Sequence, residues 1–249
     1  MQRYFADYDS EHNRFIITGD DCRHIAKVMR MKEKEEILCV DKEQRTARCS
    51  IEKISNEEVW ANCLQWIEES VELPIEVTIV SGLPKGDKLE WIIQKGTELG
   101  AARFIPFTAA RSVVKWDEKK AEKKVSRWQK IAKEAAEQSH RTVIPKVLNP
   151  IPMRTLIEIG DQYDVKLIAY EEQAKQGENS ILASALKYVE PGSRLIVVFG
   201  PEGGLTESEV RELEENGFQS CGLGARILRT ETAPLYLLSA VSYHLELLG

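Results

Sequence analysis

The stretch LIVVFGPEGGLTESEV, residues 195–210, constrains the fold more than any other part of the chain. Its apolar run, Leu195 through Phe199, is short and rich in β-branched side chains, which reads as a strand buried on both faces, as in a parallel sheet. Gly-Pro-Glu-Gly-Gly then interrupts the run, and Thr206 and Glu209 have capping-box spacing, which predicts a helix starting after Thr206. A strand, a glycine-rich turn and a helix N-terminus gather backbone N–H groups at the strand's C-terminal end, where open α/β sheets bind ligands. Gly-Pro and Gly-Gly are also ordinary turn signals, so taken alone the stretch supports a plain connection equally well. Neither GxGxxG nor GxxxxGK(S/T) is present, which argues against a nucleoside triphosphate.

A similar arrangement recurs downstream. In SCGLGARILRTETAPLYLL a glycine-bearing turn, Gly222 to Gly224, leads into a helix expected to be capped by Thr232, with Pro234 in its first turn. A third strand end, LIAYEEQ at residues 167–173, runs into the carboxylates Glu171 and Glu172. If the three strand ends are neighbours, their loops enclose one pocket of backbone donors and acceptors with apolar walls from Leu223, Ile227 and Leu228. Such a pocket suits an adenine-containing ligand carrying little negative charge.

From Ile75 onward strands and helices alternate: IEVTIVSG, a helix at 87–99, RFIPF, a basic helix, VKLIAY, a helix near 180–189, RLIVVF, the helix after Thr206, a short FQSCGLG strand and a helix at 233–248. That alternation predicts a mostly parallel sheet with helices on both faces. The last helix is apolar around most of its circumference, so it is buried in the core or against another subunit. Before Ile75 the chain reads as short strands (RYFADY, RFIIT, EILCV, TARCSIEKI, VWANCLQWI) and one helix, DCRHIAKVMRM, with Ile25, Val28 and Met29 on one face. The acidic segment EESVELP, ending in Pro74, marks the exit from this small β-rich domain. Two domains follow, 1–72 and 73–249.

The composition, 43% hydrophobic and 30% charged, is that of a globular protein with a core. No apolar run is long enough for a membrane span, and charges stand where a signal peptide needs an apolar region, so a cytoplasmic location is expected. Five cysteines without CxxC spacing read as reduced thiols, and four scattered histidines give no basis for a metal site. The net charge of −6 is unevenly distributed: residues 73–150 hold 15 Lys+Arg against 9 Asp+Glu, while both flanking parts are acidic. Within the basic part, residues 115–141 place Lys119, Lys120, Lys123, Lys124, Arg127, Lys130 and Lys133 on a helix-favouring background. This is a solvated helix face or a stripe that attracts phosphates without sequence preference.

The motifs FGPEGGLTESEV and LGARILRTETA resemble those of the SPOUT methyltransferases, specifically the RsmE family, which methylates N3 of a uridine in 16S ribosomal RNA. The resemblance continues through KGDKLEWIIQKGTELGA at 85–101, RWQKIAKEAAEQSHR at 127–141 and HIAKVMRMK at 24–32, and so covers nearly the whole chain. It implies a C-terminal α/β domain whose last segments thread into a deep trefoil knot holding S-adenosylmethionine, a PUA-like N-terminal β-barrel that binds RNA, and a homodimer with active sites at the subunit interface. Under that resemblance Tyr170, Phe199, Gly200, Glu202, Gly203, Gly204, Leu223, Gly224, Ile227 and Leu228 are the expected cofactor contacts. Arg229 is expected to stabilise deprotonated uracil or position the RNA, oriented by Glu202 or Glu231; the alternative is a structural Arg229–Glu231 ion pair. Arg111 and Arg141 are candidate phosphate or base contacts, and His24 and Arg30 candidate RNA contacts, each against the alternative of simple surface solvation. Two other classes stand beside this reading: a non-catalytic RNA-binding module, and a nucleotidyl or phosphoryl transferase, which would need a divalent metal that no DxD-like constellation supports.

Overall fold

The computed structural model describes residues 1–68, 71–112, 118–170 and 180–248. The chain forms two units: Met1–Glu72 together with Ala136–Val143, and Leu73–Ala135 together with Ile144–Gly249.

The first unit contains β1 (Arg3–Phe5), β2 (Asp7–Asp9), β3 (Arg14–Thr18), α1 (Gly19–Arg23), β4 (Glu36–Val40), β5 (Thr46–Ile54) and β6 (Glu58–Ile67). Its sheet runs β1-β4-β5-β6-β3-β2, antiparallel except for the parallel β1–β4 pair. The two edge strands are separated in sequence by Ala6 alone, so the sheet curls round until its edges approach. Tyr4, Phe15, Ile17, Ile37, Cys49 and Ile51 fill the interior.

One expected helix differs. After α1 the chain becomes π-helical over His24–Met29 and stops at Arg30, which adopts the left-handed conformation with φ 52°. The wider turn breaks the 3.6-residue spacing that would align Ile25, Val28 and Met29, so Ile25 is buried while Val28 is 67% exposed.

The segment Ala136–Val143 is anchored to the first unit by Glu72. One carboxylate oxygen accepts from Arg141 Nε at 2.9 Å and from Arg141 Nη2; the other accepts from the backbone N–H of Thr142 at 2.8 Å and of Val143 at 3.2 Å. Arg3 Nη1 donates to the Arg141 carbonyl at 3.3 Å. Arg141 is therefore a buried tie, 4% exposed, rather than the surface cation that an RNA contact requires.

The second unit contains β7 (Glu76–Gly82), α2 (Lys88–Glu98), β8 (Arg103–Phe107), α3 (Glu118–Gln138) up to Ala135, β9 (Lys146–Val147), α4 (Met153–Gly160), β10 (Val165–Ala169), α5 (Ser180–Lys187), β11 (Arg194–Phe199), α6 (Glu207–Glu215), β12 (Gln219–Cys221) and α7 (Ala233–Ser242). The sheet is parallel throughout, in the order β12-β10-β11-β7-β8-β9. Side chains alternate between two cores: Val77, Ile79, Val197 and Phe199 meet Ile92, Trp128 and Leu237 on one face, and Val80, Ile196 and Val198 meet Leu156, Leu213 and Phe218 on the other. The fold is thus α/β, a parallel sheet covered by helices and preceded by a curled β unit. The pair β9 and α4 adds an edge strand and a helix with no counterpart in the sequence expectation. Burial pushes the Cys221 thiol up to about 12, and all five cysteines are free.

The two helix starts behave differently. At α6 the capping box forms, with Glu209 N–H donating to Thr206 Oγ1 at 3.2 Å and Thr206 N–H to Glu209 Oε2 at 2.8 Å. At α7 Thr232 makes no side-chain cap; it is already in the helical region, and both its N–H and that of Ala233 donate to the Arg229 carbonyl. After Ser242 the helix widens to a π form over Tyr243–Leu247.

Glu72→Ala removes the acceptor for a buried guanidinium and two backbone N–H groups. Denaturant unfolding of the full chain is expected to show a loss on the order of 3 kcal/mol; a change below about 0.5 kcal/mol would mean that the Arg141 tie is replaceable by water.

Candidate functional site

The parallel strands β12, β10, β11 and β7 end on one edge, and the chain leaves two of them through the glycine segments. After β11 the loop Gly200–Leu205 turns back on itself. A Cβ on Gly200 would lie 2.8 Å from the Gly204 carbonyl carbon and the Leu205 nitrogen, so this residue is bare because the loop closes over it. At Gly203 the corresponding space belongs to Arg111, 3.2 Å away. Gly204 is different: φ is +69° and nothing lies within 4 Å of where a side chain would point. Among the three, only Gly204 has open space where a side chain would point.

The loop also depends on a glycine that the sequence reading did not single out. A Cβ on Gly82, at the end of β7, would stand 2.5 Å from Pro201 Cδ and 2.6 Å from its nitrogen. The strand end and the loop pack backbone to backbone there. Two polar ties complete the arrangement: Arg111 Nη1 donates to the Gly203 carbonyl at 2.8 Å, and Glu209 Oε1 accepts the Ala110 N–H at 2.7 Å. Arg111 thus braces the first glycine loop as well as lining the cavity it bounds.

That cavity has a volume of about 560 Å³, within the range of small-ligand pockets. Its walls bring together Tyr170 at the end of β10, Phe199 at the end of β11, Gly200, Glu202, Gly203 and Gly204 from the first loop, and Leu223, Gly224, Ile227, Leu228 and Arg229 from the second. Tyr170 N–H donates to the Cys221 carbonyl at 3.0 Å, which keeps the ends of β10 and β12 side by side. Gly224 has φ +89°, a turn that favours glycine. Ile227 is 73% exposed and stands at the cavity mouth rather than in a core. Glu171 and Glu172, expected at the third strand end, lie outside the described residues, as do residues 115–117 of the basic segment.

Charge in the cavity is arranged around Lys88. Its ammonium lies 3.0 Å from Glu202 and 3.4 Å from Glu231, and Glu202 also accepts the Lys85 N–H at 3.1 Å. Burial pushes the Glu202 carboxyl up, but the Lys88 ammonium and the backbone N–H groups outweigh it and hold the carboxyl below its ordinary value. Glu202 and Glu231, expected to orient Arg229, therefore face a lysine instead. Arg229 and Arg226 are exposed at the rim, and no ion pair joins Arg229 to Glu231 among the described residues. With Lys88 paired to Glu202 and Glu231, the described lining still carries Arg111, Arg226 and Arg229, which favours a polyanion at the mouth.

His24 and Arg30 belong to the first unit. His24 Nδ1 is hydrogen-bonded to Tyr4 Oη at 3.1 Å, and Arg30 is exposed. Of the basic helix, Lys124 and Arg127 turn towards Glu90 of α2, at 3.8 and 2.6 Å, while Lys119, Lys120 and Lys123 are exposed. Among the described residues no group of three His, Cys, Asp or Glu side chains could hold a metal ion, and no helix is long and apolar enough to cross a membrane.

Known proteins place this architecture. A family model described as an RNA methyltransferase domain matches residues 71–242, and one described as an RNA methyltransferase PUA domain matches residues 17–62. The ribosomal RNA small subunit methyltransferase E of Bacillus subtilis (strain 168) is 54% identical over all of this chain and 98% of its own length. That of Mesomycoplasma hyopneumoniae (strain 232) is 32% identical, over 96% of this chain and 98% of its own. The crystal structure of a ribosomal RNA small subunit methyltransferase E from Neisseria gonorrhoeae bound to S-adenosyl methionine superposes with a TM-score of 0.84 at 29% identity, covering 97% of both chains. The chain belongs to the ribosomal RNA small subunit methyltransferase E family.

Proposed function

We propose that this protein transfers a methyl group from S-adenosylmethionine to N3 of a uridine in 16S ribosomal RNA of the small subunit, in the cytoplasm. The observation that carries the reading is the cavity between the two glycine loops, with open space beside Gly204, apolar walls at Leu223 and Leu228, and arginines at its rim. These residues fit an adenosyl ligand: backbone donors and acceptors for a base and ribose, apolar surface for the ring, and room of the right size. Tyr170, Phe199, Gly200, Glu202, Gly203, Gly204, Leu223, Gly224, Ile227 and Leu228 are assigned to holding it.

The bound cofactor supplies a sulfonium methyl that a nucleophile can take directly. The chain's own residues position the acceptor and manage its charge. N3 of uracil must give up its proton, to solvent, before it attacks, and Arg229 is assigned to the negative charge that develops on the ring, with Arg226 and Arg111 available to backbone phosphates. The exposed lysines of α3 add sequence-independent attraction for RNA. The first unit is read as the RNA-binding, PUA-like part, with His24 and Arg30 as candidate contacts, and the glycine-loop segments as the threaded part of a trefoil knot.

Mass mapping of methylated nucleosides in small-subunit RNA from cells with and without the protein is expected to show loss of one N3-methyluridine. In single-turnover assays Arg229→Ala is expected to cut the methylation rate by about 10²-fold, the scale of one preorganised electrostatic contact, while cofactor binding holds. Replacing Lys119, Lys120 and Lys123 together by alanine should weaken RNA binding and flatten its salt dependence with turnover at saturating RNA intact. The reverse pattern would move the chemistry to the basic helix.

A Cβ at Gly82 has no space beside Pro201, so Gly82→Ala is expected to displace the first loop and weaken S-adenosylmethionine binding at least tenfold by calorimetry, about 1.4 kcal/mol. Unchanged affinity would take that loop out of the site.

We also infer a homodimer. Leu247 and Leu248 at the C-terminus are 72% and 63% exposed, and Tyr236 and Tyr243 on the same helical stretch 40% and 55%, more apolar surface than one solvated helix face carries. Sedimentation at micromolar concentration is expected to give twice 28.3 kDa; a fully active monomer would contradict the inference.

A further inference from the structure

Lys88 is the first residue of α2, where a cation opposes the helix dipole, and the preceding Asp87 makes no side-chain cap to compensate. A residue that breaks a local rule in a cavity wall calls for a reason outside its own helix. The reason is visible in its partners. Glu202 comes from the loop after β11 and Glu231 from the segment after β12, and β10 lies between those two strands in the sheet, so no strand pairing joins the two loops directly. The Lys88 ammonium reaches both carboxylates, at 3.0 and 3.4 Å. Glu231 Oε2 is buried and makes no hydrogen bond of good geometry among the described residues, which leaves the ionic contact with Lys88 as its compensation.

We propose that Lys88 is a positioning residue that holds the two glycine loops at one spacing by bridging Glu202 and Glu231, and that this bridge sets how tightly the cavity binds its adenosyl ligand. The inference rests on the reading of that cavity as the S-adenosylmethionine site. Without the ammonium, the Glu202 carboxylate in the cavity wall and the Glu231 carboxylate behind it are left facing each other, and like charges push the two loops apart. The hydrogen bond with Glu202, and the nearby Glu231, raise the lysine's own pKa, so it stays charged across the working range of pH. Lys88 acts through the loops and takes no part in the methyl transfer, so its loss changes the KM for the cofactor and leaves kcat at saturation close to that of the natural protein.

Calorimetry with S-adenosylmethionine on the full-length chain, with thermal melts to confirm folding, tests the idea. Lys88→Met is expected to weaken binding roughly five- to tenfold, the scale of a small network of partly exposed ion pairs. Lys88→Arg, which keeps the charge, should retain most of the affinity. The deciding variant is Lys88→Met with Glu231→Gln, which leaves Glu202 in place: if the lysine serves to keep the two carboxylates from repelling each other, removing the charge of the one outside the cavity lining recovers binding. Should Lys88→Met fail to fold, the comparison of Lys88→Arg with the double variant still decides, since both should bind nearly as the natural protein does. Equal or tighter binding by Lys88→Met, or a double variant that stays as weak as Lys88→Met, would overturn the proposal. Failure of the natural protein to bind S-adenosylmethionine at all would instead remove the functional reading on which it stands.

Discussion

The cavity exists because two stretches of backbone pass too close for a side chain to stand between them. Gly82 ends the central strand of the sheet, and Pro201 begins the turn that follows its neighbour; the missing Cβ is what lets the turn lie directly on the strand end. Gly200 repeats the device inside the loop, which folds back until Gly204 and Leu205 occupy the space a side chain would need. From this contact the rest follows: Gly204 is left facing outward with its left-handed backbone, Arg111 reaches the carbonyls of the closed loop, and Glu209 anchors the start of the next helix to Ala110. The sheet supplies the frame, since strands buried on both faces have little freedom to shift against two cores.

Electrostatics around this frame is divided into spent and available charge. Lys88, Glu202 and Glu231 satisfy one another, Arg141 is consumed by Glu72, and Arg127 by Glu90. What remains towards solvent near the cavity is Arg226 and Arg229, with Lys119 and Lys123 of α3 exposed elsewhere on the same unit. A chain with a net charge of −6 can therefore still offer positive charge at this cavity, because the nearby carboxylates Glu202 and Glu231 are already paired with Lys88.

Much of this was legible in the sequence, and the exceptions have physical causes. Strand and helix alternation located β7, β8, β10, β11 and α6 closely, because buried parallel strands are apolar runs and the Thr206–Glu209 box is a local signal. The Thr232 cap was not realised because Arg229 starts the helical turn earlier, a choice made by the loop before it. The π turn over His24–Met29 looks like an ordinary helix in sequence, since its pattern differs by less than one residue per turn. Gly82, Lys88 and the burial of Arg141 stayed hidden for a common reason: each acts on a partner far away in the chain, Pro201, Glu202 and Glu231, or Glu72. Only the sheet order brings the first three together. Length gave little warning of α4, whose eight residues lie in a stretch with no clear start signal beyond Pro152.

The tie between Glu72 and Arg141 spans 69 positions, and the residues around Arg141 belong to the first unit although the intervening chain builds the second. The β-rich unit is consequently not a prefix of the polypeptide. During synthesis its strands emerge complete, yet the piece that seals Glu72 appears only after β7, α2, β8 and α3 have been made. Assembly of the two units is interleaved in time, and a fragment cut after Glu72 would carry an acceptor whose partners were left on the other side of the cut.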